Sequence, residues 1–250
     1  MTNIIMVGCN GKMGQVITDI VSKDENAAIV AGVDIFDDGH NTYKVYNSIQ
    51  AVQEDADVII DFSSPKLLDD ILEYAVKNNV PAVLCTTGYS EEELSKIDEA
   101  SKKVAILRSA NMSMGINTMI KVMETITKVL ADAGFDIEIV EKHHNQKLDA
   151  PSGTALALAD AINGELNKEY DYNFDRSQVR EKRKQKEIGI SAVRGGTIVG
   201  EHEIIFAGTD EVLEFKHTAY SKAIFGKGAV QAAKFLKGKA AGMYGMKDVI

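Results

Sequence analysis

The segment Glu141-Lys142-His143-His144-Asn145-Gln146-Lys147-Leu148-Asp149-Ala150-Pro151-Ser152-Gly153-Thr154 gathers two of the chain's five histidines, two lysines and a Ser-Gly-Thr turn. Ser152 and Thr154 are helix-capping types, and Ala155, Leu156, Ala157, Leu158, Ala159 and Ile162 continue with helix-favouring residues, so a helix is expected to begin near Ser152. The first turn of a helix leaves backbone N–H groups without intrahelical partners and sets the positive end of the macrodipole behind them, which suits a carboxylate or phosphate. Lys147 adds a mobile positive charge, and His143 and His144 bring the side chain that changes charge near neutrality. Anion binding with proton transfer is the chemistry these types could do. Taken alone they would equally make a solvated basic loop ahead of an ordinary helix.

The elements around the segment must position it. Phe135, Ile137 and Ile139 alternate with Asp136 and Glu138, the pattern of a half-buried strand that delivers the chain into His143 and His144. Successive strand residues point to opposite faces, so at most one of the two histidines serves as proton donor if the strand persists that far. A zinc site from His143, His144, His202 and His217 lacks compact ligand spacing, and no metal is expected. Upstream, Ile116, Met119, Ile120, Met123, Ile126, Val129, Leu130 and Ala133 recur at helical spacing before Gly134, with the methionines as core or interface fillers. Downstream, Ile188 to Val193, Thr197 to Val199, Glu201 to Ala207 and Val212 to His217 read as consecutive strands with short turns, which predicts a largely antiparallel α+β unit.

The amino-terminal half has a different grammar. Asn3 to Val7 is a buried-strand run that enters Gly8-Cys9-Asn10-Gly11-Lys12-Met13-Gly14, followed by a helix from Gln15 to Ser22. Strand, glycine turn and helix is the dinucleotide-binding context, although the spacing is GxxGxxG, with Asn10 where a second fingerprint glycine often stands. Ala28 to Val33 forms the next strand and ends in Asp34, an acid placed to grip a ribose hydroxyl. Val58 to Phe62, Ala82 to Cys85 and Val104 to Leu107 are further strands, each followed by a loop: Phe62 to Ser64, Thr86 to Gly88, and Ala110 to Asn111. Strands alternating with helices predict a parallel sheet covered on both faces, with ligands beyond the strand carboxyl ends, where all these loops fall.

Composition narrows the class. At 250 residues, 45% hydrophobic and 26% charged, the chain reads as globular with two domains. No run approaches the roughly 20 apolar residues of a membrane span, no signal peptide is visible, and Cys9 and Cys85 read as free thiols, so a cytoplasmic protein is expected. A net charge of −9 argues against nucleic acid as a partner. The basic run Arg176, Arg180, Lys182, Arg183, Lys184 and Lys186 has no interleaved aromatic residues and reads as a solvated mobile loop.

Gly8-x-x-Gly-Lys-Met-Gly14, Cys85-Thr-Thr-Gly88, Ser109-Ala-Asn111, Glu141 to Thr154, Val193-Arg-Gly-Gly196 with Gly200-Glu-His202, and His217 to Gly228 together resemble the 4-hydroxy-tetrahydrodipicolinate reductase family of lysine and diaminopimelate biosynthesis. The resemblance spans essentially the whole chain, and His-His-x-x-Lys-x-Asp-Ala-Pro-Ser-Gly-Thr is its most specific element. It implies a Rossmann-type parallel-sheet domain (1–113 and 219–250) and an α+β substrate and tetramerisation domain with a mainly antiparallel sheet (114–218). It also implies a homotetramer and NADH- or NADPH-dependent reduction of a cyclic dicarboxylate with loss of water. By the resemblance His143 is the general acid and Lys147 a catalytic, substrate-side cation, while His144, Gly153 and Thr154 hold the carboxylates. Gly8, Gly11, Lys12, Met13 and Gly14 would cradle pyrophosphate and Asp34 the adenosine ribose. Phe62, Thr87, Gly88, Ala110, Asn111 and Met112 would line the cofactor site, with Lys222 and Phe225 from the carboxyl-terminal segment. Cys85 stands where the family usually has glycine, and Lys222 where it often has arginine. The basic run also departs from the family's Gly- and Pro-containing loop.

Cofactor choice can be argued separately. Asp34 accepts a bond from a 2′-hydroxyl and repels a 2′-phosphate, and Ile35 and Phe36 follow without a compensating arginine, so NADH is expected to be preferred. Lys12 could swing toward a 2′-phosphate, which keeps NADPH possible. The competing readings are another dehydrogenase of the aspartate pathway, with Cys85 as the arguable nucleophile of a semialdehyde enzyme, and a non-catalytic NADH-sensing protein.

Overall fold

The computed structural model describes residues 1–37, 39–177 and 180–250. Its chain divides into two compact units, Met1–Met114 with Ala223–Ile250, and Gly115–Lys222.

In the first unit, β1 (Thr2–Val7), α1 (Lys12–Val21), β2 (Ala27–Val33), β4 (Val58–Asp61), α2 (Leu68–Asn78), β5 (Ala82–Leu84), α3 (Glu91–Ser101) and β6 (Ala105–Arg108) follow one another as the sequence predicts, with the short β3 (Lys44–Tyr46) added after β2. With β12 (Gly242–Tyr244) at one edge, the sheet order is β12-β6-β5-β4-β1-β2-β3, and every neighbouring pair is parallel. Its central strands are apolar at both parities because both faces are covered. Ile4 and Met6 join Ile17, Val230 and Ala233 in one buried cluster, while Ile5 and Val7 join Ile71 and Ile97 in the other. The edge strands β3 and β12 (Gly242–Tyr244) escaped the sequence reading, since three residues are too few to show a period.

Periodicity also left the carboxyl-terminal helix without a parent, and the structure assigns it. α6 (Ala223–Leu236) joins the first unit through its small residues. A β-carbon at Gly226 would meet Ile20 and Ile17 of α1 at 2.9 and 3.2 Å, and one at Gly228 would fall 1.6 Å from the Met112 carbonyl oxygen. The short α7 (Met246–Val249) follows β12.

The second unit contains α4 (Met114–Asp132), β7 (Asp136–His143), α5 (Gly153–Glu165), β8 (Asp171–Asn173), β9 (Glu187–Arg194), β10 (Gly200–Ala207) and β11 (Val212–Ala219). Its sheet order is β11-β10-β7-β9-β8, antiparallel from β11 through β10 to β7, and parallel from β7 through β9 to β8. The parallel step arises because α5 carries the chain back across the sheet before β8 and β9. Ile137, Ile139, Ile188, Ile190, Ile204 and Phe206 bury one sheet face against Met119 and Met123 of α4 and Leu158 and Ile162 of α5. Thr197 to Val199, expected as a strand, instead belongs to the turn between β9 and β10.

The basic run is exposed at Arg180, Lys182, Lys184 and Lys186, as the solvated-loop reading expects, but Arg176 and Arg183 are held by carboxylates of the sheet. Arg183, with 17% of its side chain exposed, donates to Glu138 (3.0 Å), Asp136 (2.8 Å) and the carbonyls of Ile137 (3.0 Å) and Glu187 (2.5 Å). Arg176 pairs with Glu138 (2.6 Å) and Glu187, and Lys186 with Glu169. Asp136 and Glu138, the alternating acids that mark β7 as a half-buried strand, are the anchors for Arg183, and Glu138 is one of the two for Arg176.

Candidate active site

Two regions gather the candidate residues, one in each unit. In the first, β1 ends in Gly8 at φ 79°, a left-handed conformation that frees the chain to turn sharply. A β-carbon there would stand 2.6 Å from the Phe62 carbonyl oxygen, and one at Gly14 would stand 2.2 Å from that of Gly8. Both positions therefore require glycine for close backbone packing. Gly11 N–H closes the turn on the Gly8 carbonyl at 3.1 Å, and Gly11 caps α1 without any side-chain bond, so the helix's first N–H groups are left for an anion.

Asn10, at the unusual fingerprint position, ties the turn to the segment after β2. Its backbone N–H donates to Asp34 Oδ2 at 2.9 Å, its side-chain amide donates to the Phe36 carbonyl, and its Oδ1 accepts from Asn41 at 2.7 Å. Asp34 Oδ1 accepts from the Ile35 N–H at 2.8 Å. Backbone donors thus fix this carboxylate at the mouth of a cleft of about 440 Å³. Gly8, Gly11, Asp34 and Phe62 line the cleft with Ser63 and Ser64 of the same rim loop, and so do Ser48, Ile49 and Lys66, which the sequence pattern does not mark. Ser48 and Ile49 follow β3 and were missed with it.

The remaining first-unit candidates are more dispersed. Lys12 is exposed, Met13 is half-buried, and Thr87 with Gly88 follows β5 in the open. Ala110 and Asn111 follow β6 at the same sheet edge. The Met112 side chain is packed into the core at 4% exposure, so only its backbone is available to a ligand. Lys222, exposed immediately before α6, is the last residue of the second unit and so not a first-unit candidate, whereas Phe225 is half-buried against the first core cluster. Behind the rim, fully buried Asp61 accepts from Ser63 Oγ (2.5 Å), Ser63 N–H (3.0 Å) and Tyr89 Oη (3.3 Å). Burial raises its pKa against those bonds. Cys85 is buried, and burial together with Asp61 pushes its thiol well up, the reverse of an activated nucleophile.

In the second unit, β7 alternates half-buried and buried positions to its end, with Ile137, Ile139, Glu141 and His143 all inward. Lys142 turns the other way and pairs with Glu201 at 3.2 Å. Glu141 is completely buried. It accepts from both terminal nitrogens of Arg194 (2.7 and 2.8 Å), from the Ser152 N–H (2.9 Å) and from His143 Nδ1 (2.5 Å). Burial alone would raise its pKa, but the Arg194, His143 and Ser152 bonds prevail and hold it below the usual carboxylate range. Ser152 caps α5 through its Oγ, which accepts from the Ala155 N–H at 3.2 Å and lies 3.0 Å from His202 Nε2. The His143 and His202 rings meet edge to face with centroids 5.1 Å apart. Burial, then the charge of His143, brings His202 down to about 4, so it is neutral near pH 7.

The other second-unit candidates are more open. His144 is half-buried, Lys147 pairs with Asp149 at 2.9 Å, Gly153 is exposed and Thr154 half-buried. His143, the α5 amino terminus and the Arg194-Gly195-Gly196 turn are joined by short bonds, including Gly195 N–H to the His143 carbonyl at 2.9 Å. Glu141, Arg194 and His202 stand inside motifs of the family resemblance, yet nothing local in the sequence marks them as contacts of His143.

The dihydrodipicolinate reductase N-terminus family matches residues 2–112, and the dihydrodipicolinate reductase C-terminus family matches residues 115–250. The 4-hydroxy-tetrahydrodipicolinate reductase of Clostridium novyi (strain NT) is 50% identical over 250 residues, covering 100% of this chain and 98% of that protein. That of Caldanaerobacter subterraneus subsp. tengcongensis is also 50% identical, over 254 residues with the same coverage. Among solved structures, the dipicolinate-bound dihydrodipicolinate reductase from Paenisporosarcina sp. TG-14 superposes with a TM-score of 0.81 at 25% identity, covering all of both chains.

Proposed function

The chain belongs to the dihydrodipicolinate reductase family, oxidoreductases of lysine and diaminopimelate biosynthesis, and from that membership we propose how its residues divide the reaction. The reaction is reduction of 4-hydroxy-tetrahydrodipicolinate to tetrahydrodipicolinate: the substrate takes up a hydride and a proton and loses water. A reduced pyridine nucleotide supplies the hydride when bound.

The glycine turn fits that cofactor, since β-carbons at Gly8 and Gly14 would collide with backbone and α1 begins uncapped. Gly8, Gly11, Lys12, Met13 and Gly14 would hold its pyrophosphate and Asp34 its ribose. Phe62, Thr87, Gly88, Ala110, Asn111, Lys222, Phe225 and the Met112 backbone complete the assignment. NADH is favoured over NADPH because the carboxylate of Asp34, already committed by Asn10 and Ile35 N–H bonds, cannot turn away from a 2′-phosphate without breaking them.

On the substrate side, the observation that carries the reading is His143 bound through Nδ1 to a buried carboxylate beside the amino terminus of α5. Its Nε2 is then the nitrogen that donates the proton as negative charge develops on the substrate, help worth about 10² to 10⁴ in rate. His144, Lys147 and the first-turn groups of Gly153 and Thr154 hold the two carboxylates. Lys147 leaves Asp149 to do so, an exchange of one carboxylate for another. Dipicolinate, the ligand of the Paenisporosarcina enzyme, carries the same pair of carboxylates and is the natural probe of this site.

A homotetramer and a cytoplasmic location complete the proposal. The first is supported by an apolar groove of about 380 Å³ on the second unit between Val129, Leu130, Leu213 and Phe215. The second is supported by the free thiols Cys9 and Cys85. Among the described residues no helix is long and apolar enough to cross a membrane. The direct test is oxidation of NADH on adding the condensation product of aspartate semialdehyde and pyruvate. Absence of turnover with either NADH or NADPH would overturn the reading, and a kcat/KM ratio favouring NADPH would overturn the cofactor preference.

A further inference from the structure

We propose that Glu141 is a positioning residue for proton donation: it locks the His143 imidazole through Nδ1, with Arg194 and the Ser152 N–H as its own clamps, and so commits Nε2 to the substrate. The inference rests on the reading of His143 as the proton donor.

The arrangement follows from strand geometry. Residues two apart on a strand share a face, so β7 running through His143 puts 141 and 143 side by side and sends Lys142 away from them. A carboxylate with no exposed surface is costly unless donors saturate it, and Glu141 has four: two from Arg194, one from Ser152 and one from His143. Such a carboxylate is ionised and can only accept. The proton on Nδ1 is therefore fixed, and the proton available for transfer is the one on Nε2.

The surroundings agree with that division. The bond to His143 is the shortest the carboxylate makes, 2.5 Å at Oε2, and the same oxygen accepts from Arg194 at 2.8 Å. Nε2 lies over Gly200, 3.1 Å from where a β-carbon would stand, so the absence of a side chain at 200 keeps that edge uncovered. Across the sheet from His143 stand Arg194 on β9, its register partner, and His202 on β10, whose ring meets the imidazole edge to face, with His217 on β11 paired across from His202. Arg194 is a cation, His202 is neutral and Lys147 on the following loop is paired with Asp149, so Glu141 is the carboxylate bound to a ring that must itself carry a proton.

The two roles predict different double-mutant behaviour. If Glu141 acts through His143, Glu141→Gln should lower kcat on the order of 10², with dissociation constants for NADH and dipicolinate changed by less than about threefold. Adding Glu141→Gln to His143→Gln should cost little more than His143→Gln alone, since residues acting as a unit are not additive.

Should Glu141→Gln fail to fold because Arg194 is left uncompensated, the pair Glu141→Gln with Arg194→Met removes both charges and is the variant to assay. The same fall in kcat is expected of it. If Glu141→Gln, or that pair, keeps wild-type kcat while His143→Gln is crippled, the inference is wrong and the proton-donor reading stands. A full additive loss in the double variant also overturns it. Wild-type turnover in His143→Gln overturns the reading beneath it.

Discussion

The turn after β1 and the histidine at the end of β7 both lie at strand ends, yet they are made of different material. The first is largely backbone: glycines approach to within a β-carbon's width of neighbouring carbonyls, and the carboxylate of Asp34 is held by main-chain N–H groups. The second is side chain: a buried acid, a guanidinium, a serine hydroxyl and two imidazoles satisfy one another across four segments. A site of backbone tolerates changes in side-chain chemistry and fails on added volume. A site of buried side chains fails on lost charge or lost donors at nearly constant volume.

The largest test of that contrast is on the side-chain site. His143→Gln and Lys147→Ala should each lower kcat by about 10² to 10⁴ while NADH affinity, read by fluorescence titration, stays near wild type. Near-wild-type turnover in either variant would break the assignment of that residue.

Next comes stability on the same side. His202 has its folded pKa depressed from 6.5 to about 4, so its neutral form stabilises the fold above the unfolded value, and that stability drains as pH falls from 6.5 toward 4. The loss should amount to about 3 kcal/mol in urea unfolding over that window. His202→Gln should flatten this limb of the stability curve, and an unchanged slope would show that His202 is not its origin.

The backbone site should answer to volume. Gly14→Ala places a methyl group 2.2 Å from the Gly8 carbonyl oxygen. A cost of about 1 to 3 kcal/mol is expected, with NADH affinity weakened tenfold or more and dipicolinate affinity kept. Calorimetry with each ligand separately would settle it, and retained NADH affinity would sharpen the comparison against us. Smallest is Asp34→Asn, which keeps the volume and removes the charge. Its kcat/KM ratio of NADH to NADPH should fall by about tenfold, roughly 1.4 kcal/mol.

The contrast also explains what could be read from the sequence. The glycine turn, Asp34 and the alternation of strands and helices are local patterns, and the fold has them where spacing predicts. β3 and β12 were too short for a period, and with β3 went Ser48 and Ile49 of the cleft wall. In the second unit the helix cap at Ser152 and the strand into His143 were legible, but the bonds that organise them span long stretches of chain. Glu141 meets Arg194 across 53 positions, and Ser152 meets His202 across 50. Only folding brings such partners together, and no spacing rule encodes them. Within the basic run Arg183 is illegible for the same reason: it looks like a surface charge until β7 sets Asp136 and Glu138 beside it.

The alternation along β7 works as a reading frame. Glu141 and His143 are inside because they stand an even number of positions along the strand from Ile137 and Ile139, whose place is fixed by the core. A single-residue insertion between Ile139 and Glu141 would leave every chemical group in the sequence intact. It would nonetheless turn Lys142 and His144 inward in their place, unless a bulge absorbed the extra residue. In this family's chain, the length of a strand is as much a determinant of the chemistry as the identity of the histidine at its end.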